Sequence, residues 1–215
     1  MFNKTEIEQQ VAEFLLQIKA IKLQPTNPFT WASGWKSPIY CDNRVTLSHP
    51  AIRTYIRQQL TNAIQEQFGA VGCIAGVATA GIPQGALVAQ ELGLPFIYVR
   101  SKPKEHGTGS MIEGDTSALA GKRIVVIEDL ISTGKSSLQA VEALRDAGYD
   151  VAGLAAIFSY GFDVATDNFK QANCPFVTLS NYNALIKYAG ENQYIAESDI
   201  EILKKWREDP ATWGK

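Results

Sequence analysis

Cysteine is scarce in this chain of 215 residues, and the three that occur, Cys41, Cys73 and Cys174, lie far apart in the sequence. An odd number of widely spaced cysteines without a CxxC pair argues against a disulfide framework and against a zinc site, and it is typical of a reducing compartment. Excess charge is absent as well. A net charge of −2, with 20% of residues charged, gives no indication of general affinity for nucleic acid or for membranes.

Long apolar segments are also missing. The N-terminal stretch MFNKTEIEQQ is polar and lacks the apolar region of a signal peptide. No apolar run approaches the roughly 20 residues that a membrane-spanning helix needs. We therefore expect a cytoplasmic protein that acts without nucleic-acid or membrane partners.

What the chain does contain is enough apolar sequence, 46% of residues, for one sizeable core. There is no repeat, and no linker that would separate a second domain. We predict a single domain over residues 1–215. Within it we expect an N-terminal hood over residues 1–47, an α/β core over residues 48–180, and a flexible basic lid over residues 100–114.

The most informative stretch, residues 123–137, is RIVVIEDLISTGKSS. An apolar run is followed by two adjacent acids, Glu128 and Asp129, then by hydroxyls, a glycine and a lysine, and then by a helical pattern. This order predicts a strand, a loop and a helix of an α/β sheet, in which ligands bind at the carboxyl ends of the strands. Backbone N–H groups, hydroxyls and a helix N-terminus suit a phosphate, whereas paired carboxylates suit sugar hydroxyls or hydrated Mg²⁺. A ribose 5-phosphate satisfies both demands.

Two other interpretations of this stretch need to be weighed. Glycine, serine and threonine after a strand are ordinary turn residues, and Ser136 with Gln139 has the spacing of a capping box. The sequence Gly134-Lys135-Ser136 resembles the end of a P-loop. A P-loop, however, needs a glycine at position 129, where this chain has Asp129, so we do not expect a Walker-type NTPase.

A second loop of the same kind follows another predicted strand. Residues 71–75 are predicted as a strand, residues 76–81 as a loop of small residues that suits an anion, and residues 82–92 as a helix. Small residues at such a place also serve tight packing of strand on helix. A further strand over residues 95–99 completes a βαβ unit. We therefore predict an α/β fold with a Rossmann-like, mostly parallel sheet flanked by helices.

Residues 100–110, RSKPKEHGTGS, are basic and offer almost nothing to bury. A solvated loop explains this composition. A lid that folds over a polyphosphate, neutralises its charge and excludes water explains it as well. Residues 111–121 are expected to return the chain as the second arm of a hairpin.

Residues 25–47 combine prolines, glycine and aromatics, which indicate short strands joined by turns. The aromatic side chains serve either as ordinary core or as the wall of a pocket for a flat ring. In the second case Lys36, Asp42 and Arg44 are the candidates for polar contacts with a ligand.

At this point the residues carry a resemblance to a known family. The segment Val125-Val-Ile-Glu-Asp-Leu-Ile-Ser-Thr-Gly134 resembles the phosphoribosyl pyrophosphate signature of the type I phosphoribosyltransferases. Three further segments, residues 29–44, 76–83 and 98–107, are similar to those of the orotate phosphoribosyltransferases within that superfamily. The resemblance covers about residues 5–160 of the chain.

The resemblance implies a reaction in de novo pyrimidine synthesis. Orotate and phosphoribosyl pyrophosphate would give orotidine 5′-monophosphate and pyrophosphate, with Mg²⁺ as cofactor and held mainly through the substrate. It also implies a homodimer in which the lid of one subunit closes over the active site of its partner. The implied catalytic residues are Arg100, Lys104 and His106.

Most of the implied binding residues belong to phosphoribosyl pyrophosphate. The lid residues Arg100, Lys102, Lys104 and His106 would contact the pyrophosphate group. Glu128 and Asp129 would hold the ribose hydroxyls, residues 132–136 would cradle the 5′-phosphate, and Ser132 would also reach the orotate. The full implied set for this substrate is Arg100, Lys102, Lys104, His106, Thr79, Ala80, Gly81, Glu128, Asp129, Leu130, Ile131, Ser132, Thr133, Gly134, Lys135 and Ser136.

The chain departs from some family members at four positions. A lysine is missing where this chain has Ala32, Ala80 and Ser101, and an arginine that holds the orotate carboxylate is replaced by Tyr160. Our hypothesis is that Arg44 or Lys36 binds this carboxylate, since both lie in the matching hairpin.

Three other functions are possible at this stage. The first is a phosphoribosyltransferase for uracil or a purine, against which the basic lid and the segment of residues 29–44 argue. The second is a regulator that keeps the fold and binds DNA or RNA, which would need a basic face or an added segment. The third is a non-catalytic nucleotide-binding protein, which would not need the basic lid.

Overall fold

The computed structural model describes residues 4–31, 34–102, 110–117 and 119–214. The α-helices within these residues are α1 Lys4–Gln17, α2 Pro50–Phe68, α3 Gly81–Leu92, α4 Lys135–Asp146, α5 Asp163–Gln171, α6 Tyr182–Glu191 and α7 Glu197–Glu208. The strands are β1 Ile21–Leu23, β2 Phe29–Thr30, β3 Lys36–Ser37, β4 Ile39–Cys41, β5 Cys73–Val77, β6 Phe96–Val99, β7 Ile112–Glu113, β8 Arg123–Ile131, β9 Asp150–Ser159 and β10 Phe176–Asn181.

A six-stranded sheet with the order β10-β9-β8-β5-β6-β7 forms the centre of the fold. Its strands pair in parallel, except that β7 runs antiparallel to β6. This confirms the predicted mostly parallel α/β sheet. From β5 the chain continues to β6 on one side, and from β8 it continues to β9 and β10 on the other. The strand order therefore reverses between β5 and β8, which is where open α/β sheets bind their ligands.

Both faces of the sheet are buried, which explains why β8 reads as a nearly continuous apolar run. Val125 and Ile127 face the core formed with α1, α2, α3, α6 and α7. Ile124 and Val126, which alternate with them, face the second core, formed with α4 and α5. This two-residue alternation holds the strand rigidly between two helix layers, so that the residues at its carboxyl end are fixed in position.

After α1, the predicted N-terminal hood contains short antiparallel strands, as the turn-rich sequence of residues 25–47 predicts. β1 pairs with β4, and β2 forms a hairpin with β3. A 3-10 helix over Asn43–Ser48 then leads into α2. The fully buried Trp206 of α7 packs edge-on against Trp31 of the hood and donates its indole N–H to the Lys36 carbonyl at 3.2 Å. The last helix therefore anchors the first strands.

The structure differs from the sequence-based predictions at the functional edge of the sheet. β5 extends through Val77, so the loop that follows is shorter than predicted, and α3 begins at Gly81. β8 does not stop at its two acids but continues through Ile131, because Leu130 and Ile131 still pair with Phe158 and Ser159 of β9. Among the described residues, no helix is long and apolar enough to cross a membrane.

Candidate active site

The acid pair of β8 lies in the part of this strand that extends beyond the end of its neighbour β5. The last paired residues of the two strands are Gly76 and Ile127, whereas β8 remains paired with β9 as far as Ile131. Glu128 and Asp129 thus stand at the opening between the two central strands. Glu128 is buried and Asp129 is half-buried, so Asp129 is the more accessible of the two acids.

The loop after β5 packs directly against this opening. A Cβ added to Gly81 would lie 2.4 Å from the Ile127 carbonyl oxygen, and one added to Gly76 would lie 2.8 Å from the Gly81 carbonyl oxygen. Only glycine fits at such approaches. The peptide bond between Ala78 and Thr79 is cis. The close contacts place Gly81, the last residue of the predicted second anion loop, against the end of β8, where its added Cβ would also lie 3.4 Å from the Glu128 Cα.

The loop after β8 turns into α4 at Gly134. This glycine has φ +79°, and a Cβ there would lie 2.7 Å from the Phe169 ring, so both the backbone conformation and the space require glycine. The side-chain amide of Asn168 donates to the Thr133 carbonyl at 3.0 Å and holds the turn. Residues 132–136 therefore lead into a helix N-terminus, as the sequence predicts, and the first turn of a helix leaves backbone N–H groups without intrahelical partners. Ser136 with Gln139 does not act as a capping box, since Gly134 is the N-cap residue.

Hydrogen bonds hold the Glu128 carboxylate inside the protein. Its Oε2 accepts from the Ser137 hydroxyl at 3.1 Å, and its Oε1 accepts from the Asp129 backbone N–H at 3.0 Å. Burial raises the pKa of Glu128 well above its ordinary value, and the neighbouring Asp129 charge raises it further. Burial also raises the pKa of Asp129. Burial and the neighbouring charge thus favour the protonated form of Glu128, and the pair is suited to share one proton.

The hood contributes a direct link to this acid pair. The buried Asn43 donates its side-chain amide to the Asp129 carbonyl at 2.7 Å, across 86 residues of sequence. The Cys41 thiol in turn donates to the Asn43 side-chain oxygen at 3.4 Å. The sequence analysis missed Asn43 as a positioning residue. Its only signal was its place in the polar run Cys-Asp-Asn-Arg, in which the charged residues Asp42 and Arg44 are the predicted ligand contacts.

Arg44 directly follows Asn43 in the chain, and its side chain is exposed. Its guanidinium makes two hydrogen bonds to the Asp42 carboxylate, at 2.7 and 2.8 Å. Side-chain hydrogen bonding to Arg44 lowers the pKa of Asp42. The Arg44 charge also favours the ionised form of Asp129, against the rise in pKa that burial causes. The other candidate, Lys36, donates from Nζ to the Thr30 hydroxyl at 2.8 Å, on an exposed part of the hood.

Only the base of the predicted lid lies within the described residues. Arg100 follows β6, donates its backbone N–H to the Met111 carbonyl at 2.8 Å and pairs with Glu113 of β7 at 3.4 Å. The Ser101 carbonyl accepts from Gln139 of α4 at 3.3 Å. The β6–β7 pairing confirms the two arms of a hairpin. Lys104 and His106 lie outside the described residues, and the exposed Lys102 is the last one described before them.

The loops after β5, β6 and β8 thus meet at one edge of the sheet, with the hood above them. The structure brings together the acids, the loop after β5, the turn of residues 132–136, Asn43 of the hood and the base of the predicted lid. It leaves Lys36 farther out on the hood hairpin.

Comparison with known proteins shows which family this arrangement belongs to. Residues 47–188 match the phosphoribosyl transferase domain family. An orotate phosphoribosyltransferase of Phocaeicola vulgatus is 58% identical over 207 residues, which cover 96% of this chain and 97% of the relative. The chain belongs to the orotate phosphoribosyltransferase family.

Solved structures agree with this family at the level of the fold. The orotate phosphoribosyltransferase of Aeropyrum pernix matches with a TM-score of 0.71 at 23% identity, over 86% of this chain and 99% of that one. The UMP synthase of Leishmania donovani matches with a TM-score of 0.77 at 24% identity, over 93% of this chain but only 42% of that longer protein. At such identities the likeness concerns the fold, and the relatives of higher identity carry the family assignment.

Proposed function

We propose that this member of the orotate phosphoribosyltransferase family transfers the ribose 5-phosphate group from phosphoribosyl pyrophosphate to orotate in pyrimidine biosynthesis. The products would be orotidine 5′-monophosphate and pyrophosphate. The observation that carries the proposal is the acid pair Glu128–Asp129, which opens beside two anion-binding loops at the switch point of the sheet. The near-complete match to curated relatives of that name supports it.

Each part of phosphoribosyl pyrophosphate has a candidate binding segment. Residues 132–136, at the start of α4, bind the 5′-phosphate through backbone N–H groups and hydroxyls. Asp129, with Glu128 behind it, accepts hydrogen bonds from the ribose hydroxyls. Thr79, Ala80 and Gly81 bind the pyrophosphate group. The short distance between the Gly81 backbone and β8 supports the placement of this group beside the ribose.

Catalysis follows from the charges that develop as the bond to pyrophosphate breaks. The ribose carbon becomes positive and the leaving pyrophosphate becomes more negative. Basic lid residues that neutralise the leaving group favour this separation, so we assign this role to Arg100, Lys104 and His106, with Lys102 as a helper. Orotate needs only to be held close to the ribose carbon, which is a matter of positioning.

Mg²⁺ is the proposed cofactor, and when bound it would neutralise charge on the pyrophosphate oxygens. The described residues contain no group of three or more acidic, histidine or cysteine side chains placed to hold a metal ion. The donor chemistry at hand is therefore the Asp129 carboxylate together with oxygens of the substrate. We propose that the ion is held mainly through the substrate.

Orotate is an anion, so its site needs a cation as well as a flat pocket. Arg44 is the better placed of the two candidates, because it directly follows Asn43, which is hydrogen-bonded to the Asp129 carbonyl, while Lys36 is bound to Thr30 on the outer hairpin. Ser132, the first residue of the turn between β8 and α4, is the proposed second contact. Binding would require the Arg44 guanidinium to share or leave its Asp42 partner.

A homodimer with lids that act across the interface is the proposed assembly. Hybrid dimers test it directly. Homodimers of Lys104→Ala and homodimers of Asp129→Asn should each lack activity. If the lid of one subunit serves the acids of the other, mixing the two variants by refolding or co-expression should restore about a quarter to a half of the activity of the unsubstituted protein. No recovery on mixing, with dimer exchange shown independently, would mean that each lid serves its own subunit.

We propose that the protein acts in the cytoplasm and that its substrates are small molecules alone. The three cysteines are free thiols among the described residues, which supports a reducing compartment. The balanced charge of the chain supports the absence of a nucleic-acid partner.

One assay tests the function. Purified protein is incubated with phosphoribosyl pyrophosphate and, in parallel, with orotate, uracil, adenine or xanthine, with Mg²⁺ and with excess chelator. We expect turnover of orotate alone, dependent on Mg²⁺. Turnover of another base would support the rival transferase, and no turnover of any base would support a non-catalytic role.

A further inference from the structure

A chain of buried hydrogen bonds joins helix α3 to the hood and to β8. The Gln84 side-chain amide of α3 donates to the Thr46 hydroxyl at 3.1 Å, and that hydroxyl donates to the Asn43 backbone carbonyl at 2.6 Å. The Asn43 side-chain amide then donates to the Asp129 carbonyl at 2.7 Å. Gln84, Thr46 and Asn43 are each at most 1% exposed. These three side chains therefore form a buried bridge that leads from α3 to Asp129.

The buried bridge holds one of the two polar backbone groups of Asp129, and Glu128 holds the other. The Asp129 carbonyl accepts from Asn43, while the Asp129 N–H donates to Oε1 of Glu128 at 3.0 Å. In the part of the chain that the structure describes, β5 pairs with β8 only as far as Ile127, so the acids lie beyond this pairing. Because both backbone groups are held, the root of the Asp129 side chain is fixed, while its carboxyl group is only half-buried and stays accessible to a ligand.

Stability alone does not explain the glutamine at the start of the bridge. The amide oxygen of Gln84 is buried and has no hydrogen-bond partner among the described residues. A buried acceptor without a partner costs free energy, whereas a methionine could fill the same space without that cost. The amide of Gln84 therefore indicates a role in positioning rather than in packing.

Gln84 also connects the bridge to the loop after β5. It lies three residues after Gly81, in the first turn of α3, and the Gly81 backbone packs closely against the Ile127 carbonyl of β8. Residues 79–81 are the segment proposed for the pyrophosphate group, and Asp129 is the acid proposed for the ribose hydroxyls. The bridge thus runs from the helix that begins at the pyrophosphate segment to the acid that holds the ribose.

We propose that Gln84 is a positioning residue that acts through Thr46 and Asn43 on Asp129, and that it thereby fixes the ribose-binding acid relative to the pyrophosphate-binding loop. This inference rests on the proposed function. The bond that breaks in the reaction joins the ribose to the pyrophosphate, so these two groups of one substrate must be held in a defined relative orientation. The bridge supplies this constraint with neutral side chains, which add no charge beside the acids.

Gln84→Met tests the far end of the bridge. It removes the donor to Thr46 together with the unpartnered oxygen, so the melting temperature should change little. We expect the Kd for phosphoribosyl pyrophosphate, measured by titration calorimetry in the presence of Mg²⁺, to rise about threefold or more. We also expect kcat to fall and the KM for orotate to stay unchanged. Gln90→Met is the control, because Gln90 is an exposed glutamine of the same helix, and it should change none of these values.

Asn43→Ala tests the end of the bridge that contacts Asp129. It should raise the same Kd by about fivefold or more. Asn192→Ala is the matched control, since Asn192 also donates its amide to a backbone carbonyl, that of Tyr188 at 3.0 Å, but at the end of α6. Because the bridge acts through the Asp129 carboxyl group, neither Gln84→Met nor Asn43→Ala should weaken binding further in an Asp129→Ala background.

An unchanged Kd and kcat in Gln84→Met would overturn the proposal. Equal losses with and without the Asp129 carboxyl group would overturn it too, because they would show that the bridge only supports the fold. Gln84→Met decides the matter by itself if Asn43→Ala does not fold. A failure of the proposed function looks different, since the unsubstituted protein would then not turn over orotate, whereas the comparison of Kd values needs no acceptor base.

Discussion

The Ser137 hydroxyl donates to the Glu128 carboxyl group at 3.1 Å, and this bond links the two elements on either side of the turn of residues 132–136. Ser137 is fully buried in the first turn of α4, and Glu128 is a residue of β8. The strand before the turn and the helix after it are thus joined by their side chains. This hydrogen bond therefore fixes the conformation of the turn between them, residues 132–136.

This arrangement predicts a pH effect on stability. The pKa of Glu128 is raised in the folded protein, so above the ordinary glutamate pKa of about 4.3 the folded state retains a proton that the unfolded chain releases. The stability that this proton contributes is complete below that pH and is lost as the pH rises through the folded-state pKa. Glu128→Gln, which never ionises, should therefore gain stability relative to the unsubstituted protein as the pH rises. Urea unfolding between about pH 4.5 and 8 measures this difference.

Glu66→Gln is the matched control for this experiment, since Glu66 is an exposed residue of α2. Its stability difference should stay constant over the same pH range. A Glu128→Gln protein that behaves like this control would show that the buried acid holds no proton in the folded state.

The close approach of Gly81 to β8 predicts the effect of a single methyl group. Gly81→Ala would place a Cβ 2.4 Å from the Ile127 carbonyl oxygen, so loop or strand must shift. We expect a loss of about 1–3 kcal/mol in the free energy of unfolding, as for other overpacked sites, and a raised KM for phosphoribosyl pyrophosphate. The control is Gly190→Ala in α6, whose Cβ would meet only the flexible end of Ile200, at 3.1 Å. Equal, small effects of both variants would contradict the tight packing of this loop.

Arg44→Ala should impair the binding of orotate far more than the binding of phosphoribosyl pyrophosphate. The lost charge-assisted contact predicts a rise in the KM for orotate of tenfold or more, about 1.4 kcal/mol. Lys36→Ala serves as the comparison, because Lys36 is the other cation of the hairpin and is hydrogen-bonded to Thr30. Steady-state kinetics with each substrate varied in turn gives both KM values. If Lys36→Ala has the larger effect on orotate, the assignment to Arg44 is wrong.

Lys104→Ala should slow the chemical step. If the lid neutralises the leaving pyrophosphate, its loss lowers kcat by more than tenfold, which corresponds to more than about 1.4 kcal/mol of transition-state stabilisation. Lys170→Ala, on the exposed face of α5, removes an equal charge away from the site and should leave kcat unchanged. A kcat close to that of the unsubstituted protein in Lys104→Ala would refute catalysis by the lid.

Sequence analysis predicted the centre of the site because its signals are local. The apolar run of β8, its acids, the glycine at 134 and the helical pattern of α4 are contiguous, and each has a known conformational preference. The parallel sheet followed from one βαβ unit and the shortness of its connections. Even there, the length of β8 was underestimated, because pairing with β9 extends the strand beyond the acids.

Contacts between distant parts of the chain could not be predicted in this way. The bond from Asn43 to the Asp129 carbonyl spans 86 residues, and the bond from Trp206 to the Lys36 carbonyl spans 170. No periodicity or turn signal encodes such pairs, since they depend on how complete elements pack. The inward orientation of Glu128 was missed for the same reason, because it depends on Ser137 in the following helix.

The hydrogen bond from Trp206 to the Lys36 carbonyl also affects the order in which parts of the protein form during synthesis on the ribosome. The turn of residues 132–136 can form once β8, α4 and β9 have emerged from the ribosome. The hood is anchored by Trp206 only when α7 has been synthesised. A nascent chain that ends before α7 should therefore form the turn of residues 132–136 before its N-terminal strands are fixed in place. The anchoring of those strands would then be one of the last events of translation.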